Sequence, residues 1–221
     1  MMCISRLVFL ILSILFLNPV YGQDLTGKWL LKDIDFGKGK SYGGFQLIEI
    51  EGNIVNLFID FSLSEKFQEL KLKSKVLFTM NGSKYADYKV VDKNNLRLFV
   101  KGKHNDHKDI IIKYNFYRLL PTITILKKNE IEKLSFVLKD NNIESEIVFN
   151  EEFLDSETLK IIGLIEGRKM LIEQIDHTFF ISVYYSGKRE CSIPIKEVTT
   201  DFLKLYALPN ELPENVTYIR K

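Results

Sequence analysis

The chain has 221 residues, 46% of them hydrophobic and 12% aromatic, with 31 basic side chains against 29 acidic ones and a net charge of +2. The positive charges are interleaved with acids, which argues against a nucleic-acid partner or a membrane-surface binder, since each needs basic residues gathered into a patch. With two cysteines, Cys3 and Cys191, the chain has no disulfide framework to lean on, so a hydrophobic core must hold it.

Residues 1–22 read as a secretory signal peptide. Arg6 supplies the positive start, Leu7 through Leu17 is an apolar run too short to span a bilayer, and Val20-Tyr21-Gly22 places small residues where a signal peptidase cuts. Cleavage near Gly22 would take Cys3 away and leave Cys191 alone. The expectation is a secreted or periplasmic protein with no membrane anchor after cleavage.

From Lys28 to Leu120 the signals are those of consecutive antiparallel strands. Lys28–Asp35 opens the series, and the glycine- and lysine-rich stretch Phe36–Gly44 reads as a flexible loop. Phe45–Glu51 and Ile54–Phe61 flank Gly52-Asn53, a two-residue hairpin turn, and Lys71–Met80 and Lys84–Val91 flank Asn81-Gly82-Ser83. Leu96–Lys103 and Lys108–Leu120 complete the block. Leu96, Leu98 and Val100 alternate with Arg97 and Lys101, the period of a half-buried strand. Short strands at regular spacing imply a barrel or sandwich.

Pro121 ends the pattern. Thr122–Lys127 and Asn129–Leu134 read as a connector, the second part as one or two helical turns capped by Asn129. Residues 121–221 then form a second β-rich module. Ser135–Asp140 resembles Lys28–Asp33, Tyr218-Ile219-Arg220 resembles Phe116-Tyr117-Arg118, and the separations agree, with 89 residues from Trp29 to Arg118 and 84 from Phe136 to Arg220. A divergent repeat explains this; chance recurrence in a lysine-rich chain is the alternative. Within this module Ile161, Leu164, Ile165, Leu171, Ile172 and Ile175 fall at helical spacing behind Ser156, which predicts a helix at least over Glu157–Leu164. Gly163 and Gly167 keep two short strands open as the other reading. Thr178–Tyr185 and Lys188–Val198 form a hairpin around Ser186-Gly187. Phe202–Leu208 and Asn215–Arg220 flank the turn from Pro209 to Pro213.

The sole tryptophan stands in Leu25-Thr26-Gly27-Lys28-Trp29, and the last strand of the first block ends Asn115-Phe116-Tyr117-Arg118-Leu119. Gly27 lets the backbone turn sharply into a strand, and an arginine stacked on an indole satisfies both groups. This pairing of Gly-x-Trp with an aromatic strand ending in arginine resembles the lipocalin-like, calycin-type family of secreted barrels over about residues 23–120. The resemblance implies a small antiparallel barrel in which Gly27, Trp29 and Arg118 are structural residues that close one end. Phe136 and Arg220 are their counterparts in the second module. It further implies a small apolar ligand in the barrel mouth, with the Phe36–Gly44 loop as part of the rim.

Chemistry-bearing candidates are few. His104 and His107, with Asp106 and Asp109, make the one histidine cluster, but it occupies a polar turn and lacks a third firm ligand, so no metal is expected. Cys191 lies between Glu190 and Ser192 with His177 as its nearest base in sequence, and reads as a packing residue. Glu151-Glu152 reads as a solvated turn. The sequons at Asn81 and Asn215 read as turn and strand, because a composition rich in Lys, Asn, Ile and Phe points to an AT-rich bacterial genome. No cofactor and no catalytic residue is assigned. The leading expectation is a non-catalytic exported binding protein; a filled barrel docking a partner in the bacterial envelope is the alternative. A hydrolytic enzyme comes third, since no acid, base and nucleophile present themselves together.

Overall fold

The structure, a computed structural model, describes residues 25–37, 39–41, 44–103, 109–140, 143–149, 168–206 and 217–221. The leader, His104 and His107, Glu151-Glu152, the stretch from Ser156 to Leu164, Asn215 and the Pro209–Pro213 turn lie outside these residues.

Nine strands make the first sheet: β1 (Gly27–Asp35), β2 (Lys40–Ser41), β3 (Leu47–Glu51), β4 (Ile54–Phe58), β5 (Gln68–Lys73), β6 (Val76–Thr79), β7 (Lys84–Asp92), β8 (Asn95–Lys103) and β9 (Asp109–Arg118). Each pairs antiparallel with its neighbour, and β9 returns to β1, so β1 and β3 to β9 form a closed eight-stranded barrel with no free edge. The short β2 pairs with Ile34 and Asp35, on the part of β1 that β3 leaves uncovered. The Phe36–Gly44 segment, expected as a loop, therefore contains a small piece of sheet.

The hairpin turns at Gly52-Asn53 and Asn81-Gly82 form where expected, with Gly52 at φ +60° and Gly82 at φ +87°. The stretch Lys71–Met80, expected as one strand, is two. Ser74 and Lys75 turn the chain at φ +49° and +63°, conformations that sequence signals assign to glycine or asparagine. Ile54–Phe61 ends as a strand at Phe58, and Phe61 leaves the sheet for a different core.

Inward-facing positions alternate as the barrel requires. Trp29, Leu31, Ile48, Ile50, Val55, Leu57, Leu70, Leu77, Leu96, Leu98 and Phe116 share one interior cluster. Outside, polar residues in register tie the closing strands together: Arg97 Nε donates to Asn115 Oδ1 at 2.6 Å, the Asn115 amide donates to Asp33, and Lys113 pairs with Asp35 at 3.0 Å.

Past Pro121 comes α1 (Lys128–Ile131), whose N-cap is Lys127 rather than Asn129. The Lys127 backbone N–H donates to the Glu130 carboxylate at 2.7 Å, which satisfies that end of the helix without an asparagine side chain. The second sheet contains β10 (Phe136–Asp140), β11 (Ile143–Ile147), β12 (Arg168–Ile175), β13 (Thr178–Tyr185), β14 (Lys188–Val198), β15 (Phe202–Leu205) and β16 (Thr217–Arg220), in the order β11-β10-β16-β15-β14-β13-β12. The helical reading fails over Leu171–Ile175. Met170 and Ile172 point into the core while Leu171 and Glu173 point out, and all eight residues of β12 pair with β13. Spaced isoleucines and leucines fit either period, and here the ladder with β13 decides between them.

The seam of each sheet is built alike. Trp29 pairs with Arg118, and Phe136 pairs with Arg220. Leu119 N donates to Lys28 O at 2.8 Å, as Lys221 N does to Ser135 O at 3.1 Å; Arg118 N donates to Asn94 O at 2.8 Å, as Arg220 N does to Asp201 O at 2.7 Å. The sheets pack through a third apolar cluster of Leu30, Leu47, Phe58 and Phe61 against Ile175 and Phe180. The connector is stitched into the second sheet where β13 and β14 splay. Thr122 Oγ1 accepts from Phe179 N and donates to Ile195 O, both at 2.8 Å, and Thr178 Oγ1 donates to Leu120 O at 2.7 Å.

Candidate functional site

One end of the barrel is plugged. Trp29 is 0% exposed and its indole N–H donates to Leu25 O at 2.9 Å. The Arg118 guanidinium carbon lies 4.2 Å from the centroid of the indole. From there Nη1 donates to Thr26 O at 2.6 Å and Nε to Lys93 O at 3.0 Å, so one side chain ties the start of β1 to the β7–β8 turn. Gly27 sits at φ +118°, a conformation an L side chain resists, which is the local reason for glycine there. In the second sheet Phe136 is fully buried in the core, and Arg220 is exposed and reaches Thr200 O at 3.5 Å.

The opposite end holds a cavity of about 190 Å³. Strand direction places it there: β3 starts, β4 ends, β5 starts, β8 ends and β9 starts at the pole away from Trp29. Its floor is Leu57, Leu70, Leu77, Leu98 and Phe116, its side wall carries Tyr85 and Tyr114, and its rim includes Gln46, Ile59 and Phe67. Ile59 is 52% exposed and Phe67 61%, unusual for large apolar side chains, and both border the opening. Burial pushes the Tyr85 phenol above its ordinary value, and the nearby Tyr114 phenol adds to that shift. Tyr85 therefore stays neutral at physiological pH and, with Tyr114 beside it, offers a hydrogen-bonding hydroxyl in a largely apolar cavity.

A second hollow, of about 270 Å³, lies between the sheets and is lined by Lys28, Glu49, Glu51, Pro121, Asp176 and His177 among others. Lys28 Nζ bridges Glu49 at 2.9 Å and Asp176 at 2.7 Å. Burial alone would lower the Lys28 pKa, but hydrogen bonds to Asp176 and Glu49 outweigh it and hold the group above its usual range. A lysine bridged to a carboxylate on each sheet ties the two sheets together.

Among the described residues, the remaining candidates do not converge. Asp109 is exposed at the start of β9. Cys191 is half-buried on β14 opposite Val183, while His177 sits in the β12–β13 turn, six residues along β13 and so about 20 Å away. Among the described residues, no group of three or more His, Cys, Asp or Glu is arranged to hold a metal ion, and no helix is long and apolar enough to cross a membrane. The cavity residues went unnoticed in the sequence because Leu57, Leu70, Leu77 and Leu98 have the pattern of any barrel core. The exposed phenylalanine at 67, beside polar residues, was the one available signal. No protein-family model matches the chain, and no curated protein matches it.

Proposed function

We propose that this chain is an exported, non-catalytic barrel protein, lipocalin-like in its first sheet, that binds a small apolar ligand at the unplugged end of the barrel. The observation that carries the reading is the apolar cavity of about 190 Å³ whose rim presents exposed Ile59 and Phe67. Such a volume lies below the roughly 300 Å³ at which pockets begin to take drug-sized molecules, so the ligand is a single ring system or a short chain. A hydroxyl or carbonyl on it would meet the Tyr85 phenol. Burying about 200 Å² of aromatic surface at about 25 cal/mol per Å² gives about 5 kcal/mol, a dissociation constant on the order of 0.2 mM.

Equilibrium dialysis with 2-naphthol tests this. Binding should be saturable with one site, and Val100→Trp, which fills the space beside Tyr114, should abolish it. Binding that persists in Val100→Trp, or no binding by the wild type in the millimolar range, would sink the proposal. Native mass spectrometry of protein taken from its own host would then show the ligand that it carries.

The docking alternative is favoured by a different observation. Ile123 and Ile125, the latter 98% exposed, stand outward from the connector between the sheets. An envelope partner covering them would protect them from solvent, and crosslinking in the host would capture it there.

Export rests on Arg6 and the apolar run Leu7–Leu17; an intact mass of the exported protein lacking residues 1–22 would support it, and one that retains them would refute it. The matched seams of Trp29 with Arg118 and Phe136 with Arg220 support reading residues 121–221 as a divergent copy of 23–120. On that reading we place binding in the first copy, because the described interior of the second is packed by Ile131, Phe136, Ile147, Met170 and Tyr218.

A further inference from the structure

The geometry points to a task for the second sheet: it grips the rim of the cavity in the first and so sets how readily a ligand enters and leaves. The functional meaning rests on the binding reading above; the grip itself does not. The β4–β5 connection begins at Ile59 and ends at Phe67, both lining the cavity mouth. Between them the chain turns outward, and Phe61, 6% exposed, is inserted into the cluster between the sheets. Its ring meets Phe180 of β13 edge-on, with centroids 5.1 Å apart, and Phe45 at 5.2 Å. Phe45 immediately precedes Gln46, a third lining residue, so two separate rim segments are held by one cluster.

Arg189 of β14 closes the grip. Its guanidinium carbon lies 4.3 Å from the Phe61 ring centroid. The group is itself immobilised by Glu173, with Nη2 to Oε1 at 2.6 Å and Nε to Oε2 at 3.0 Å, and by the Tyr184 hydroxyl at 2.5 Å. A cation over an aromatic face, anchored by a two-pronged carboxylate, fixes the ring in orientation as well as depth.

The middle of the segment has little else to hold it, while its far end is tied to β4 by Phe67 N donating to Leu57 O at 2.8 Å. Ser62 and Ser64 hydroxyls donate to the Asp60 carboxylate, and Leu63 N reaches Asp60 O at 3.2 Å, all in exposed positions. Leu63 adopts φ +53°, a conformation costly for a leucine, which persists because its side chain packs on the cluster between the sheets. Without that cluster the stretch from Asp60 to Ser64 would relax, and the mouth of the cavity between Ile59 and Phe67 would loosen with it.

The test uses the full chain with Arg189→Met, which keeps an unbranched apolar stem and removes the cation, and Phe61→Leu as a second variant that keeps the apolar fill and loses the stack. Amide exchange is measured without ligand, and 2-naphthol binding is measured alongside. Exchange at Leu63 and Ser64 should rise about five- to tenfold while amides of β7 and β8 stay as in the wild type, and naphthol affinity should fall by a similar factor. Trp29 emission, far from the change, reports that the barrel is intact. Unchanged exchange across residues 59–67 in a folded variant overturns the grip. Faster exchange with unaltered naphthol affinity and rates overturns its link to the cavity. If the wild type binds no naphthol, the binding reading falls, and exchange alone decides whether the second sheet holds the segment.

Discussion

Replacing Thr122 by valine removes one hydroxyl and strands two buried backbone groups. Thr122 Oγ1 is the acceptor for Phe179 N–H and the donor to Ile195 C=O, each at 2.8 Å. It stands where the β13–β14 ladder, whose last described pair on this side is Phe180 with Pro194, would next have joined residues 179 and 195 directly. Thr122 is buried, so water does not readily replace the lost partner. Each unsatisfied group costs about 1–3 kcal/mol, which sets the expected loss at about 2–6 kcal/mol. At about 3 kcal/mol the melting temperature should drop by about 6–12 °C for a chain of this size. Urea denaturation provides the measurement, followed both by far-ultraviolet circular dichroism and by the emission of Trp29, which senses the barrel alone. Thr122→Ser, keeping the hydroxyl, should lose less than about 1 kcal/mol. If valine costs under about 0.5 kcal/mol, the hydroxyl is not bridging the splayed strands and the account of how the connector is anchored is wrong.

Arg118→Met should destabilise the barrel by about 1–2 kcal/mol, since charged hydrogen bonds to Thr26 O and Lys93 O go together with the stack on the indole; urea midpoints read by Trp29 emission check it. Gly27→Ala should cost about 1–3 kcal/mol through its backbone at φ +118°, because the added Cβ meets nothing closer than Arg118 Nη1 at 3.4 Å. For acid stability, burial would raise the Glu173 carboxyl, but hydrogen bonds from Arg189 and Ser182 and the guanidinium charge outweigh it and hold its pKa low. A lowered pKa means that its contribution is complete above the unfolded value of about 4.3 and is lost as pH falls through the folded one. Stability measured between about pH 5 and 3 should therefore fall less steeply in Glu173→Gln than in the wild type, and identical slopes would show that the pair with Arg189 carries no acid sensitivity.

The class of fold was legible in local chemistry. Gly52-Asn53 and Asn81-Gly82 announce hairpins because few other residues tolerate a positive φ, and Leu96, Leu98 and Val100 alternate because a strand shows one face to a core. The Gly27, Trp29 and Arg118 constellation could be read as well, since an indole and a guanidinium so far apart in sequence have a chemical reason to meet. What local chemistry left undecided was settled by contacts across the fold. Ser74-Lys75 turns without a turn residue because the pairing of β5 with β6 holds it, and Leu171–Ile175 is extended because β13 offers a complete ladder. The cavity and its rim belong to the same class. Leu77 and Leu98 look identical in sequence whether the space between them is filled or empty, and Phe61 differs from Phe67 only in that Phe180 and Arg189, well over a hundred residues away, take hold of one and not the other. A residue's own neighbours in sequence set its period and its turn, whereas volume left over inside a barrel is a sum over eight strands, and only the assembled fold performs that sum.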